Sequence, residues 1–170
     1  VLTVVDGIRV ADEFSFGPFL SARRDFVDVD SLEVVEIARG PISSLYGSDA
    51  LGGVVSMTTR TPQSYLTDGD GFAANVKAGY SGDDNSLVGA LNLALGDETI
   101  AGLLSYTKRS SEETETNGTS GGVAQAREEA DPQDAEVDNI SFKLFYSPAE
   151  NHDLSLVVEE FVSEVEQEIQ

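Results

Sequence analysis

The chain has 170 residues and carries 10 basic against 31 acidic side chains, a net charge of −21. That balance excludes a phosphate-backbone binder, which needs Lys and Arg, so no nucleic-acid partner is expected. Without cysteine it can hold neither a disulfide nor a thiolate metal site, and its length suits one domain or two small ones.

Val1 to Val5, Asp6-Gly7 and Ile8 to Val10 read as a β-hairpin. Asp-Gly supplies the positive φ that a two-residue turn needs. Ala11 to Asp30 follows as a loop with Phe14, Phe16, Phe19 and Phe26 and the pair Arg23-Arg24. Aromatic and cationic groups together suit a ligand-facing apex. The simpler account packs the Phe residues on a core and pairs the arginines with Asp25 or Asp28. Asp30-Ser31-Leu32-Glu33 reads as a helix start, with Asp30 or Ser31 as cap.

Glu36 to Arg60, EIARGPISSLYGSDALGGVVSMTTR, is the stretch around which the chain is organised. A strand-like run, Val34 to Ile37, ends at Arg39-Gly40-Pro41. Pro41 suits a first helical turn, where its missing N–H leaves nothing unsatisfied. Ile42 to Tyr46 is long enough for one turn, and Gly47 is a helix stop. Gly52 and Gly53 then allow a sharp corner before a second strand, Val54 to Thr59.

RGPISSLYGSDALGGVVSMTTRTP closely resembles the late plug region of TonB-dependent outer-membrane receptors, and Val4-Val5-Asp6-Gly7-Ile8-Arg9-Val10 resembles the plug's earlier VDG hairpin. The likeness covers residues 1 to 66. FGPFLSARRDFVDVDSLEVVEI looks most like the haem and haemoglobin receptor branch. The resemblance implies that Asp6, Gly7, Gly40, Pro41, Tyr46, Gly47, Asp49, Gly52 and Gly53 are architectural plug positions. It also implies that Arg39 seats the plug by an ion pair with a glutamate on the barrel wall. Glu33 and Glu36 are nearer alternatives. Removing one partner of a buried pair is costly, which suits a plug that stays seated until pulled.

Gln63 to Gly71 is polar and turn-rich, and a linker is placed at residues 67–71. Beyond it, apolar residues alternate strictly at Phe72 to Tyr80, Leu87 to Leu95, Ile100 to Tyr106 and Ile140 to Tyr146. Leu154, Leu156 and Val158 begin a fifth strand, where Glu160 breaks the apolar face. Either a bulge shifts the phase there or the strand has left the bilayer. Short turns are expected at Gly96 to Glu98 and Pro148 to His152, and a long acidic loop at residues 110–135. Outer-membrane barrels join strands by short periplasmic turns and longer outside loops. A soluble sheet with one wet face alternates too; the plug motif decides for the barrel. No run of about 18 apolar residues offers a transmembrane helix.

Catalytic chemistry is not expected. There is one histidine, His152, in a short turn, and no Gly-rich phosphate loop. The Ser and Asp of GSDALGG lack nucleophile-elbow spacing. Glu112-Glu113 and Glu128-Glu129 lie in a loop with nothing to desolvate them. The acidic loop lacks a calcium-binding pattern and reads as a solvated segment, with loose divalent-cation or basic-protein contact as the functional alternative. No metal or cofactor is expected.

The expected fold is a mixed α/β plug fragment (1–66), a linker (67–71) and the first five antiparallel strands of an incomplete transmembrane β-barrel (72–170), of about 22 strands in the resembling family. The chain opens inside a strand without an initiating Met, so it is read as an internal stretch of a longer protein. The resemblance implies energised import of haem, or of haem from a haem protein, across a Gram-negative outer membrane. The partners would be outer-membrane lipid and the TonB complex. A ferric siderophore or cobalamin is the alternative ligand. A soluble secreted β-rich binding module is the alternative of another class.

Overall fold

Asp6 and Gly7 both take positive φ, 47° and 79°, and so turn β1 (Leu2–Val5) back onto β2 (Ile8–Arg9). The structure is a computed structural model, which describes residues 2–10, 27–40, 52–67, 71–116, 118, 130 and 132–167. The chain divides into two units, Val1–Ser64 and Tyr65–Gln170.

In the first unit β1 pairs in parallel with β4 (Gly53–Thr59), and β4 pairs antiparallel with β3 (Leu32–Arg39), giving the order β2-β1-β4-β3. Alternate side chains Leu2 and Val4 meet Val54 in a small buried core. β3 is an edge strand and stays exposed from Glu33 to Arg39. Ser31 does not start an α-helix. Val29–Ser31 is a single 3₁₀ turn, and Asp28 is its cap, accepting the Asp30 amide at 3.2 Å. The β-branched run that begins at Val34 takes the chain straight into β3, so the cap serves a turn and not a helix. The helical turn expected at Ile42 to Tyr46 lies outside the described residues.

The second unit is a five-stranded antiparallel meander: β5 (Phe72–Tyr80), β6 (Leu87–Gly96), β7 (Ile100–Glu112), β8 (Gln133–Ala149) and β9 (His152–Gln167). The last three outrun the alternation that announced them. Pairing continues through Glu112↔Asp134 and Asp134↔Glu166, so both ends of the 110–135 segment are strand. The turn expected at Pro148 to His152 shrinks to Glu150-Asn151. Pro148 is accommodated at a register shift between Tyr146 and Ala149, where no ladder amide is needed. No bulge occurs at Glu160: register is unbroken from Gln133↔Gln167 to Tyr146↔Leu154.

Candidate functional site

Register places the side chains of the meander in cross-strand rows. One face carries Phe72–Leu95–Gly102–Leu144–Leu156, then Ala74–Leu93–Leu104–Phe142–Val158, then Val76–Leu91–Tyr106–Ile140–Glu160. The opposite face carries Asn75–Asn92–Ser105–Ser141–Glu159, and beside it Lys77–Ala90–Thr107–Asn139–Phe161. Burial runs against the habit of a soluble sheet. Phe72 is 62% exposed and Val76 74%, while Asn139 and Lys143 on the polar face are 3% and 6% exposed. Large apolar side chains thus stand on an open face, while on the middle strands the polar side chains of the other face are buried.

The apolar face has an oblique upper limit. On β5 and β6 it extends to the row of Tyr80 and Leu87. On β7 and β8 it stops at Tyr106 and Ile140; on β9 Glu160 interrupts it after Val158, and a single valine, Val162, follows on the same face opposite Asp138. Charge begins directly beyond. The Tyr106 hydroxyl donates to Asp138 at 2.9 Å, and Lys108 lies 3.4 Å from Asp138 and 3.5 Å from Glu136. Tyr106 thus has its ring on the apolar side and its hydroxyl on the charged side.

Turns at both ends are fixed by carboxylates and amides. Asp97 accepts the Ile100 and Thr99 amides at 2.9 and 2.8 Å, and these bonds hold its carboxyl below the usual value of 3.8. At the opposite end the Tyr80 hydroxyl donates to Asn85, which donates to Glu112 at 2.8 Å. The Glu113 carboxyl is lowered by the Gln133 amide, and Asp84 by Ser86, so acids tie down the bases of the long connections. Gly96 and Asp97 fall in the turn expected from sequence, but the Asp97 bonds to Thr99 and Ile100 and the Asn85 bridge from Tyr80 to Glu112 were not singled out. An Asp three residues before a strand is the local signal for the Asp97 turn.

In the first unit, Asp6 does more than turn the hairpin. Its carboxylate accepts the Thr59 amide at 2.8 Å and also the Thr59 hydroxyl, which ties the turn to the far end of β4. Gly40 sits at φ 101° and Gly53 at φ 125°, the left-handed region. A Cβ on Gly53 would lie 2.5 Å from the Ala38 carbonyl oxygen. Arg39 ends β3 opposite Gly53 and is exposed. Among the described residues neither Glu33 nor Glu36 pairs with it; Glu33 accepts the Ser64 hydroxyl at 2.8 Å. Gly52 is an exposed bend residue. Pro41, Tyr46, Gly47, Asp49, Phe14, Phe16, Phe19, Arg23 and Arg24 lie outside the described residues.

His152 opens β9, is exposed and pairs with Ala149. Among the described residues no three His, Asp or Glu side chains gather as a metal group. The arrangement offers surfaces and a seated turn.

Residues 1–54 match the model of the TonB-dependent Receptor Plug Domain. Over 165 residues, 89% of this chain, the sequence is 32% identical to the Probable hemoglobin and hemoglobin-haptoglobin-binding protein 4 of Haemophilus influenzae. It is 30% identical to the Hemoglobin-binding protein A of Haemophilus influenzae over 169 residues, 91% of the chain. The chain spans 16% of the length of each of these relatives. With this match at residues 1–54, and with relatives of haemoglobin-binding name along nearly all its length, the chain carries the plug domain of the TonB-dependent receptors.

Proposed function

We propose that residues 1–66 close the plug of a Gram-negative outer-membrane receptor, that 67–71 link it onward, and that 72–170 are the first five strands of its barrel. A barrel of about 22 strands has a lumen that holds a plug. The observation that carries this reading is the exposed apolar face and its slanting limit. From Tyr80 on β5 the limit drops to the row shared by Ala74 and Val158 on β9. Six residues at ~3.3 Å make ~20 Å, and four strand spacings of ~4.8 Å make ~19 Å. The slope is about 45°, at the upper end of the strand tilt of barrel walls. Glu160 is then no defect: on β9 it stands just outside the bilayer.

The receptor binds an iron-bearing ligand outside the cell, and TonB pulls on the plug to admit it. Haem, or haem taken from a haem protein, is the favoured ligand, because the relatives bear haemoglobin-binding names. A ferric siderophore or cobalamin is the second reading within the fold. Arg39 seats the plug against a barrel glutamate, and Phe14, Phe16, Phe19, Arg23 and Arg24 face the ligand. Outer-membrane lipid covers the apolar rows.

The test is growth of a strain lacking the full-length receptor, with haem, haemoglobin or a ferrisiderophore as sole iron source. Loss on haem sources alone supports the reading; loss on siderophore alone transfers it to the second. An active receptor recovered in the soluble fraction without detergent would end the membrane reading. Arg39→Ala is expected to lower energised uptake at normal surface expression, and unchanged uptake removes Arg39 from the mechanism.

A further inference from the structure

The apolar face of the meander has a notch. Gly102 stands in its row between Leu95 and Leu144 and has no side chain to fill the space between them. Ile100, Leu104 and Phe142 wall the gap, leaving an open groove of about 260 Å³. Backbone crowding does not require glycine here. A Cβ at position 102 would meet only the Lys143 carbonyl oxygen at 3.7 Å and a Phe142 ring carbon at 4.0 Å, ordinary contacts. Glycine within a strand weakens it. At Gly102 that cost is met without any local steric reason, so the space itself is the feature to explain.

We infer that this groove seats one acyl chain of a phospholipid, in the leaflet beside the β6–β7 turn. The inference rests on the membrane reading above. Three observations select this occupant. First, every side chain lining the groove is apolar, so a peptide inserted there would leave its N–H and C=O groups without partners. Second, a second copy of the chain applied to the same face would oppose the acids beyond it, Asp134, Glu136 and Glu164, like against like. A stable protein partner also needs about 1,000 Å² of contact, and the notch spans only three strands. Third, Gly96 and Ile100 place one end of the groove at the turn. A hydrocarbon chain can enter there lengthwise while its headgroup stays at the turn's polar level. The gain is ordinary apolar burial, favourable per methylene and free of any polar penalty.

The experiment uses the full-length receptor reconstituted in vesicles of phosphatidylethanolamine and phosphatidylglycerol, with a trace of phosphatidylethanolamine nitroxide-labelled on its acyl chain. Gly102→Leu fills the notch. Gly89→Leu lies on the same face outside it, at a position where an added Cβ meets nothing within 4 Å. Wild type and Gly89→Leu are expected to show a slowly exchanging, immobilised lipid signal that Gly102→Leu loses. Gly102→Ala, a smaller filling, should lose part of it and guards against misassembly of the larger variant. An equal signal in all variants, or none in wild type that floats with the vesicles, overturns the groove alone. Wild type that fails to float with vesicles overturns the membrane reading, and the groove with it.

Discussion

The carboxylate of Asp6 receives both the backbone amide and the hydroxyl of Thr59, joining residues 53 positions apart. Thr59 is buried, so shortening Asp6 removes two bonds at a place that water does not readily reach. A hydrogen bond to a charged group contributes about 2 kcal/mol. Asp6→Ala is expected to raise amide exchange across β1 and β4 by a comparable local free energy. Thr59→Val keeps the amide bond and should cost about 1 kcal/mol. Hydrogen exchange unchanged from wild type in both variants would show that the pair contributes nothing.

Gly53 and Gly40 separate two causes of strain. Both have positive φ, but only Gly53 would drive a Cβ into the backbone of β3. Gly40→Ala should cost about 1 kcal/mol for its conformation. Gly53→Ala should exceed that by ~1–3 kcal/mol, because overpacking is added. Denaturant unfolding followed by β3 and β4 reporters checks the order of the two.

Asn75 and Val76 are adjacent, both exposed, and point to opposite faces of β5. If the apolar face meets lipid as proposed, Val76→Arg places a charge at mid-height on that side, where it costs ~2–4 kcal/mol. Asn75→Arg points it into the polar side and should be tolerated. Heat-modifiable gel mobility and surface yield are expected to fall for Val76→Arg alone. A fall of equal size in both would contradict the assignment of faces.

The Asp97 carboxyl is lowered by the Ile100 and Thr99 amides in the turn between β6 and β7. A lowered folded value means that the stabilisation is fully present above the unfolded value near 3.8. It is lost as pH falls through the folded value. NMR titration should therefore place the Asp97 midpoint below 3.8, with Thr99 and Ile100 amide protection falling over the same range. In Asp97→Asn that pH dependence should vanish.

Much of the fold was legible because a half-buried strand writes its phase into the chain. Phe72 to Tyr80 and Ile140 to Tyr146 alternate without a fault, and Asp6-Gly7 announces its turn. The lengths of β7, β8 and β9 were not legible. Beyond Ile140 the apolar residues Ala135, Val137 and Val165 sit on the other face, so the phase read from Ile140 to Tyr146 does not carry over although the ladder continues. The parallel pairing of Leu2 with Val54 and the clasp of Asp6 on Thr59 depend on contacts distant in sequence, which no local pattern encodes. Asp28 was passed over as a cap because the turn it closes is a single 3₁₀ turn, too short to show a helical period.

Pairing of β7, β8 and β9 continues beyond the last apolar row, through Glu112, Asp134 and Glu166. A hydrogen-bonded ladder bends far less readily than free chain. In the barrel proposed above, these strands would stand as a stiff, acidic parapet, and a bulky ligand would meet it at a fixed angle.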